Sequence, residues 1–301
     1  MTDDVVQKLL DRRAFLEEYK LPEEHWPAEV NLSSHGRSFA KIPLYVFMTA
    51  SALESLNLSH NTIDALSVGV FKGLSGLVEL NLSGNRLTSL PDGVFEGLSN
   101  LKVLRLTHNS LSETLQASAF ERLSSLTDLD LEGNGFITLP PGLFKGLDSL
   151  KRLTLTGAIG FNLPLSTLPV GAFEGLSSLR VLVLNKNTLT TLSVGVFKEL
   201  SSLTMLYLAH NRLVTLPAGV FKGLSNLTAL YLNNNVLATL PSGVFEELSS
   251  LKEIELSNNP IARIYYVTDP TIGLFSLPSG ARIKPRTLED VIEKSKARWD
   301  T

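Results

Sequence analysis

Residues 77–98 read Leu77-Val-Glu-Leu80-Asn-Leu82-Ser-Gly-Asn85-Arg-Leu87-Thr-Ser-Leu90-Pro91-Asp-Gly-Val94-Phe95-Glu-Gly-Leu98, and near copies of this stretch fill most of a 301-residue chain. The copies open at Leu53, Leu77, Leu101, Leu126, Leu150, Leu179, Leu203, Leu227 and Leu251, in steps of 24, 24, 25, 24, 29, 24, 24 and 24 residues. Eight residues after an opener stands an asparagine: Asn61, Asn85, Asn109, Asn134, Asn187, Asn211, Asn235 and Asn259. A fixed period of this length marks a stack of like units, none of which buries its apolar face alone. The expected fold is an α/β solenoid with one parallel sheet.

Within a unit, Leu80-Asn-Leu82 alternates with period two, so it reads as a short strand with one buried face. Leu77, Leu87, Leu90, Phe95 and Leu98 point to the same interior from the turns that close the coil. The asparagine is the polar exception. Its amide can donate to and accept from backbone groups of neighbouring coils that would otherwise be buried unpaired. A second spine is aromatic, one ring per coil: Phe47, Phe71, Phe95, Phe120, Phe144, Phe173, Phe197, Phe221 and Phe245. The Pro-x-Gly-Val-Phe turn before it breaks the strand and predicts a short helical or 3-10 segment on the convex side. Strands pack about 4.8 Å apart and the convex segments are wider, so the stack curves into a horseshoe. With the first, atypical coil, ten parallel strands are expected.

The net charge is −3 and the pI about 6.0, a balance that points to neither nucleic acid nor an acidic membrane surface. No run of 18 apolar residues predicts membrane insertion. Met1-Thr-Asp-Asp lacks the basic-then-apolar pattern of a secretory signal. With no cysteine, disulfides, thiol catalysis and thiolate metal sites are excluded. The sequons at Asn31, Asn57, Asn81 and Asn226 follow from the repeat text itself.

The ends differ from the repeats. Residues 3–19 predict an amphipathic helix with Val5, Val6, Leu9, Leu10, Phe15, Leu16 and Tyr19 on one broad face and acidic Asp3 and Asp4 in its first turn. Pro22 and Pro27 lead into the first coil, where Val30, Leu32 and Phe47 fit the pattern and His35 replaces the asparagine. After Ile264 the pattern fades. Tyr265–Pro285 reads as irregular, and a last helix is expected over 287–298, with Thr287-x-x-Asp290 as its capping box. The expected organisation is a helical cap over 1–26, about ten coils over 27–264, and a C-terminal cap over 265–301 ending in a helix. Such caps keep the open ends of the core from water.

Over residues 27 to about 264, the pattern L-x-x-L-x-L-x-x-N-x-L-x-x-L-P-x-G-V-F-x-G-L-x-x resembles the typical leucine-rich repeat class of Toll-like receptor ectodomains, small leucine-rich proteoglycans and variable lymphocyte receptors. The resemblance implies a curved solenoid whose concave sheet binds protein or glycan ligands. Those extracellular families close both ends with disulfide-linked cysteines. This chain has none and looks like a cysteine-free, bacterial-type version.

With the opening leucine as the first position, the third, fifth, seventh and eighth are expected to face outward and be free to vary. The N-terminal coils are small and polar there. The middle carries Asp128, Asp130 and Glu132 on one strand, flanked by Arg105 and Arg152. Later coils carry Val181, Val183, Met205, Tyr207, Ala229 and Tyr231, a contiguous apolar patch of the kind that marks an interaction site, although such residues also suit exposed strands. The acidic trio reads as charge balanced by the two arginines rather than as a cation site. His60 and His108 share the eighth position two coils apart, roughly 10 Å, too far to share one zinc ion; His210 lies farther on. No nucleophile–base or phosphate-loop spacing occurs, so no catalytic residue, cofactor or metal is expected. The function expected is non-catalytic recognition of a protein partner, not nucleic acid, with Val181, Val183, Met205, Tyr207, Ala229, Tyr231, Arg152, Asp128, Asp130 and Glu132 as partner-binding residues. A surface or adhesion protein binding glycans is the alternative. Five extra residues after Leu155, around Phe161, are expected to bulge beside the sheet while Leu150, Leu153, Leu155, Leu168 and Phe173 keep their places.

Overall fold

The computed structural model describes residues 3–33, 38–157, 164–261 and 282–283. Each coil contributes one three-residue strand: β1 Glu29–Asn31, β2 Ser55–Asn57, β3 Glu79–Asn81, β4 Val103–Arg105, β5 Asp128–Asp130, β6 Arg152–Thr154, β7 Val181–Val183, β8 Met205–Tyr207, β9 Ala229–Tyr231 and β10 Glu253–Glu255. The strands pair in parallel in chain order. The register never slips: Leu56 lies opposite Leu80, Leu80 opposite Leu104, and Leu206 opposite Leu230. A one-residue slip would turn every buried leucine to solvent, so the leucine pattern holds the register. The sheet has one strand more than the ten expected. β11, Arg282–Ile283, joins β10 with Arg282 opposite Glu253. The stretch read as irregular therefore contains a strand, which pairs a backbone edge that would otherwise be open. The expected helix over 287–298, the insertion around Phe161 and His35 all lie outside the described residues.

The asparagines stitch coil to coil. Asn211 Nδ2 donates to the carbonyls of Leu184 in the preceding coil, at 2.9 Å, and Leu208 in its own, at 3.1 Å. Its Oδ1 accepts from Leu189 N at 3.2 Å. The same three-way pattern occurs at Asn61, Asn85, Asn109, Asn134, Asn187, Asn235 and Asn259. Asn187 spans the long coil, donating to Leu155 O and accepting from Leu165 N. On either side of the insertion Leu150, Leu153, Leu155, Leu168 and Phe173 are buried as expected. All nine spine phenylalanines are buried. Stacked neighbours along the spine have centroids 6.0–6.4 Å apart and planes within 7–18°. Trp26 closes the N-terminal end of the spine, edge-on to Phe47 at 5.6 Å.

The convex side departs from expectation. It is built mostly of successive turns rather than helices. Most coils place a glycine two residues before the spine phenylalanine, with positive φ (Gly69 78°, Gly93 73°, Gly171 85°), and a left-handed residue interrupts a helix. In the coil where Ser118 takes that place, the chain forms a 3-10 helix over Ala117–Phe120. In the first coil Tyr45 takes it, at φ 66°, and its carbonyl accepts from Arg12 Nε at 2.9 Å.

Arg12 belongs to helix α1, Asp3–Glu18. Phe15 and Leu16 are buried, and Phe15 meets Phe39 edge-on at 5.2 Å. Leu10, expected on the same face, is 55% exposed. At 3.6 residues per turn it lies about 140° around the axis from Phe15, so the packed stripe is narrower than the sequence suggested.

Candidate functional site

In each strand the middle residue is buried, which turns its two neighbours, the third and fifth positions, onto the concave face. Unbroken register then makes two continuous rows. One runs Asp128, Arg152, Val181, Met205, Ala229, Glu253; the other runs Asp130, Thr154, Val183, Tyr207, Tyr231, Glu255. The valines, Met205 and the two tyrosines expected to form a patch do lie side by side. Tyr207 and Tyr231 stack with centroids 4.5 Å apart and planes 10° from parallel. The Tyr207 hydroxyl leans to Met205 Sδ at 3.6 Å, and Met205 itself is 38% exposed. Ala229 does not contribute contact surface. It is only 7% exposed, a methyl group on the floor between the longer Met205 and Glu253. The Tyr231 phenol is pushed up to about 12, first by burial and then by the negative charge of Glu253, so near neutral pH it is an uncharged donor.

The charged flank is arranged differently from the sequence reading. Arg152 does face Asp128, at 3.8 Å. Arg105, which lies opposite Asp130 in the register, forms its ion pair with Glu79 on β3. Burial raises the Asp128 carboxyl above its ordinary range, against the pull of Arg152 and Arg105. Burial raises Asp130 too, opposed by a hydrogen bond from the Glu132 N–H and reinforced by the charges of Glu132 and Asp128. That bond, Glu132 N to Asp130 Oδ1 at 3.1 Å, is part of a recurrent device. Asn57, Asn81 and Glu255 each accept from the backbone N–H two residues on. The fifth position therefore also caps the turn that leaves the strand. The signal was present in the repeated Asn-Leu-Ser text, an Asx-turn pattern.

The seventh and eighth positions are less free than expected. Ser59, Ser83 and Ala209 in the seventh are buried. The eighth requires left-handed backbone: His60, His108, Lys186, His210, Asn234 and Asn258 have φ of 51–57°. Gly84 and Gly133 adopt it at φ 66° and 70°, Gly157 in the long coil does not, and a Cβ on Gly84 would stand 2.6 Å from His60 Nδ1. The histidines are thus turn residues laid over neighbouring coils. His210 contacts Asn234, which accepts in turn from Asn258 Nδ2 at 2.8 Å. Among the described residues no three His, Cys, Asp or Glu side chains come together as metal ligands would.

A family model described as leucine rich repeat matches residues 31–87, 76–136, 112–157, 158–213 and 207–261. No curated protein matches the chain. Among solved structures, a chain of the TLR13-ssRNA13 complex is similar at TM-score 0.66 and 31% identity, over 70% of this chain and 29% of that one. A chain of the Drosophila Toll–Spatzle complex is similar at TM-score 0.70 and 24% identity, over 91% of this chain and 37% of that one. The glycosylated form of that complex gives TM-score 0.65 and 25% identity, over 87% and 39%. The chain thus spans about a third of the length of these receptors.

Proposed function

We propose that this chain, which belongs to the leucine-rich repeat family, is a non-catalytic recognition module that binds a protein partner through its concave face. The observation that carries the reading is the stacked Tyr207–Tyr231 pair, half-exposed and continuous with Met205, Val181 and Val183. Tyrosine offers a large rigid contact at small entropic cost and is enriched among the residues that dominate interface energy. Asp128, Asp130, Glu132 and Arg152 form a charged flank that sets orientation and association rate more than affinity. The similar receptor in the Toll–Spatzle complex is paired with a protein, and that of the TLR13-ssRNA13 complex with RNA. Stacking favours the protein reading here. A nucleobase packs on an open aromatic face, and each of these rings already has one face taken by the other.

The test is the double variant Tyr207→Ala, Tyr231→Ala. Neither ring enters the core, so its thermal melt should match that of the parent chain. Immobilised parent chain should capture a protein that the variant captures at least about thirtyfold more weakly, the loss expected from removing an anchor of about 2 kcal/mol. Equal capture by both chains rejects the concave patch. Specific, tyrosine-dependent binding of a single-stranded RNA oligonucleotide in place of protein would overturn the partner class.

A further inference from the structure

We propose that Tyr207 and Tyr231 are an oxidative cross-linking site: a one-electron oxidant joins their rings carbon to carbon as dityrosine and so staples β8 to β9. The pair lies on the concave face, and this chemistry does not depend on what that face binds.

Parallel pairing sets the geometry. Both tyrosines hold the fifth position of their coils and lie opposite each other in the register. Paired parallel strands run about 4.8 Å apart, so the two side chains leave the sheet side by side in the same direction. The rings meet with centroids 4.5 Å apart and planes 10° from parallel. The Tyr231 hydroxyl is within hydrogen-bonding reach of the Tyr207 hydroxyl, which brings the ring carbons beside each hydroxyl, the Cε atoms, close to their counterparts. Those ortho carbons carry much of the unpaired electron of a phenoxyl radical. Two such radicals couple face to face, because the new bond forms along the π lobes. Both rings are half-exposed on the sheet surface, where an oxidant can draw electrons from them. Tyr231 also has a proton acceptor, since its hydroxyl hydrogen-bonds to the Glu253 carboxylate. The other described tyrosines lie at the N-terminal end of the stack: Tyr19 just after α1, against Phe15 and Phe39, and Tyr45 between β1 and β2.

Each phenol gives up one electron to the oxidant and one proton to a base, Glu253 for Tyr231 and solvent for Tyr207. The two radicals couple and form one Cε–Cε bond. The hydrogen on each joined carbon then moves to its ring's oxygen, which restores both phenols. The pair loses two hydrogen atoms in all. Where the oxidant is a peroxidase, one hydrogen peroxide is reduced to two waters. The bond closes a loop from 207 to 231, one 24-residue repeat. It restricts the unfolded chain as a disulfide would, in a chain that has no cysteine. Because coils couple chiefly to their neighbours, a covalent bond across one boundary should hold that boundary against opening.

The experiment treats the intact chain, kept dilute, with a haem peroxidase and limiting hydrogen peroxide. A parallel sample receives photo-oxidised ruthenium tris-bipyridine, an oxidant small enough to enter the concave face. Peroxide without peroxidase is the blank. With either oxidant the monomer should lose two hydrogen atoms in mass and gain the blue fluorescence of dityrosine. On digestion it should yield a peptide pair joined at Tyr207 and Tyr231, and the joined monomer should melt higher than the untreated chain. Tyr207→Phe and Tyr231→Phe each keep a ring in the stack but remove one phenol, so both variants should fold and lose the joined product. Dityrosine at the parental level in either variant, dityrosine confined to linked dimers, no joined peptide with both oxidants, or a joined monomer that melts no higher overturns the inference. None of these results bears on the concave-face reading, whose own test is capture by the double alanine variant.

Discussion

Asp130 occupies a place where earlier coils use asparagine, and the difference can be measured. Asn57 and Asn81 cap their turns through Oδ1, as Asp130 does for Glu132 N. Of these three, only Asp130 carries charge, between Asp128 and Glu132 and partly removed from water, which raises its carboxyl above the ordinary range. Asp130→Asn keeps the acceptor and removes the repulsion. It should raise stability at neutral pH by a few tenths to about 1 kcal/mol, the scale of like charges on one sheet face. Because the carboxyl is already neutral once pH falls below its raised pKa, the advantage should vanish in acid, as chemical denaturation at two pH values would show. Tyr231 is the corresponding case in base. Its folded pKa of about 12 exceeds the ordinary value of about 10. Below about pH 10 the phenol is protonated in both states. Between about 10 and 12 the unfolded chain ionises first, and stability is lost. Thermal melts over that range should fall less steeply for Tyr231→Phe than for the parent chain; identical slopes would mean that the phenol is not held in its neutral form.

At the scale of the element, the coil is the unit of cohesion. Phe197 lies between Phe173 at 6.0 Å and Phe221 at 6.4 Å and is fully buried. Phe197→Ala should cost about 3–5 kcal/mol through lost burial and a residual cavity. Coils couple chiefly to their neighbours, so the loss should appear as a broadened melt as well as a lower midpoint. A loss under about 1 kcal/mol would contradict the burial of the ring. The spine and the asparagine ladder were both legible in the sequence, because each is a residue type repeated at a fixed step. The convex turns were less so. Helix and turn share the same Pro-x-Gly-Val-Phe text, and the left-handed φ of the glycine decides between them. Where Ser118 takes its place, the helix forms.

At the scale of the whole molecule, the open N-terminal end of the stack is covered by α1 and the segment that follows it. Phe15 packs on Phe39, Trp26 on Phe47, and Trp26 Nε1 donates to Thr49 Oγ1 at 3.2 Å. Deleting residues 1–26 removes all three and bares the first coil. The truncated chain should aggregate or express poorly. A soluble monomer with an unchanged melting temperature would instead free α1 for another role.

The sequence by itself determined the solenoid, the parallel sheet, its register and the buried set, because periodicity carries that information and stacking only repeats it. It also placed Tyr207 and Tyr231 on one face of neighbouring strands. Whether a side chain on that face is offered or withheld was decided by tertiary structure. Ala229 is sunk because its neighbours in adjacent coils, Met205 and Glu253, are longer. Arg105 pairs with Glu79 of the preceding coil although Asp130 lies opposite it in the register. Leu10 stays in water because the first coil meets only one stripe of α1. These outcomes depend on pairs of residues about 24 or more positions apart, brought together only when coils stack. A repeat pattern specifies each coil and is silent on which variable side chains will meet across two of them.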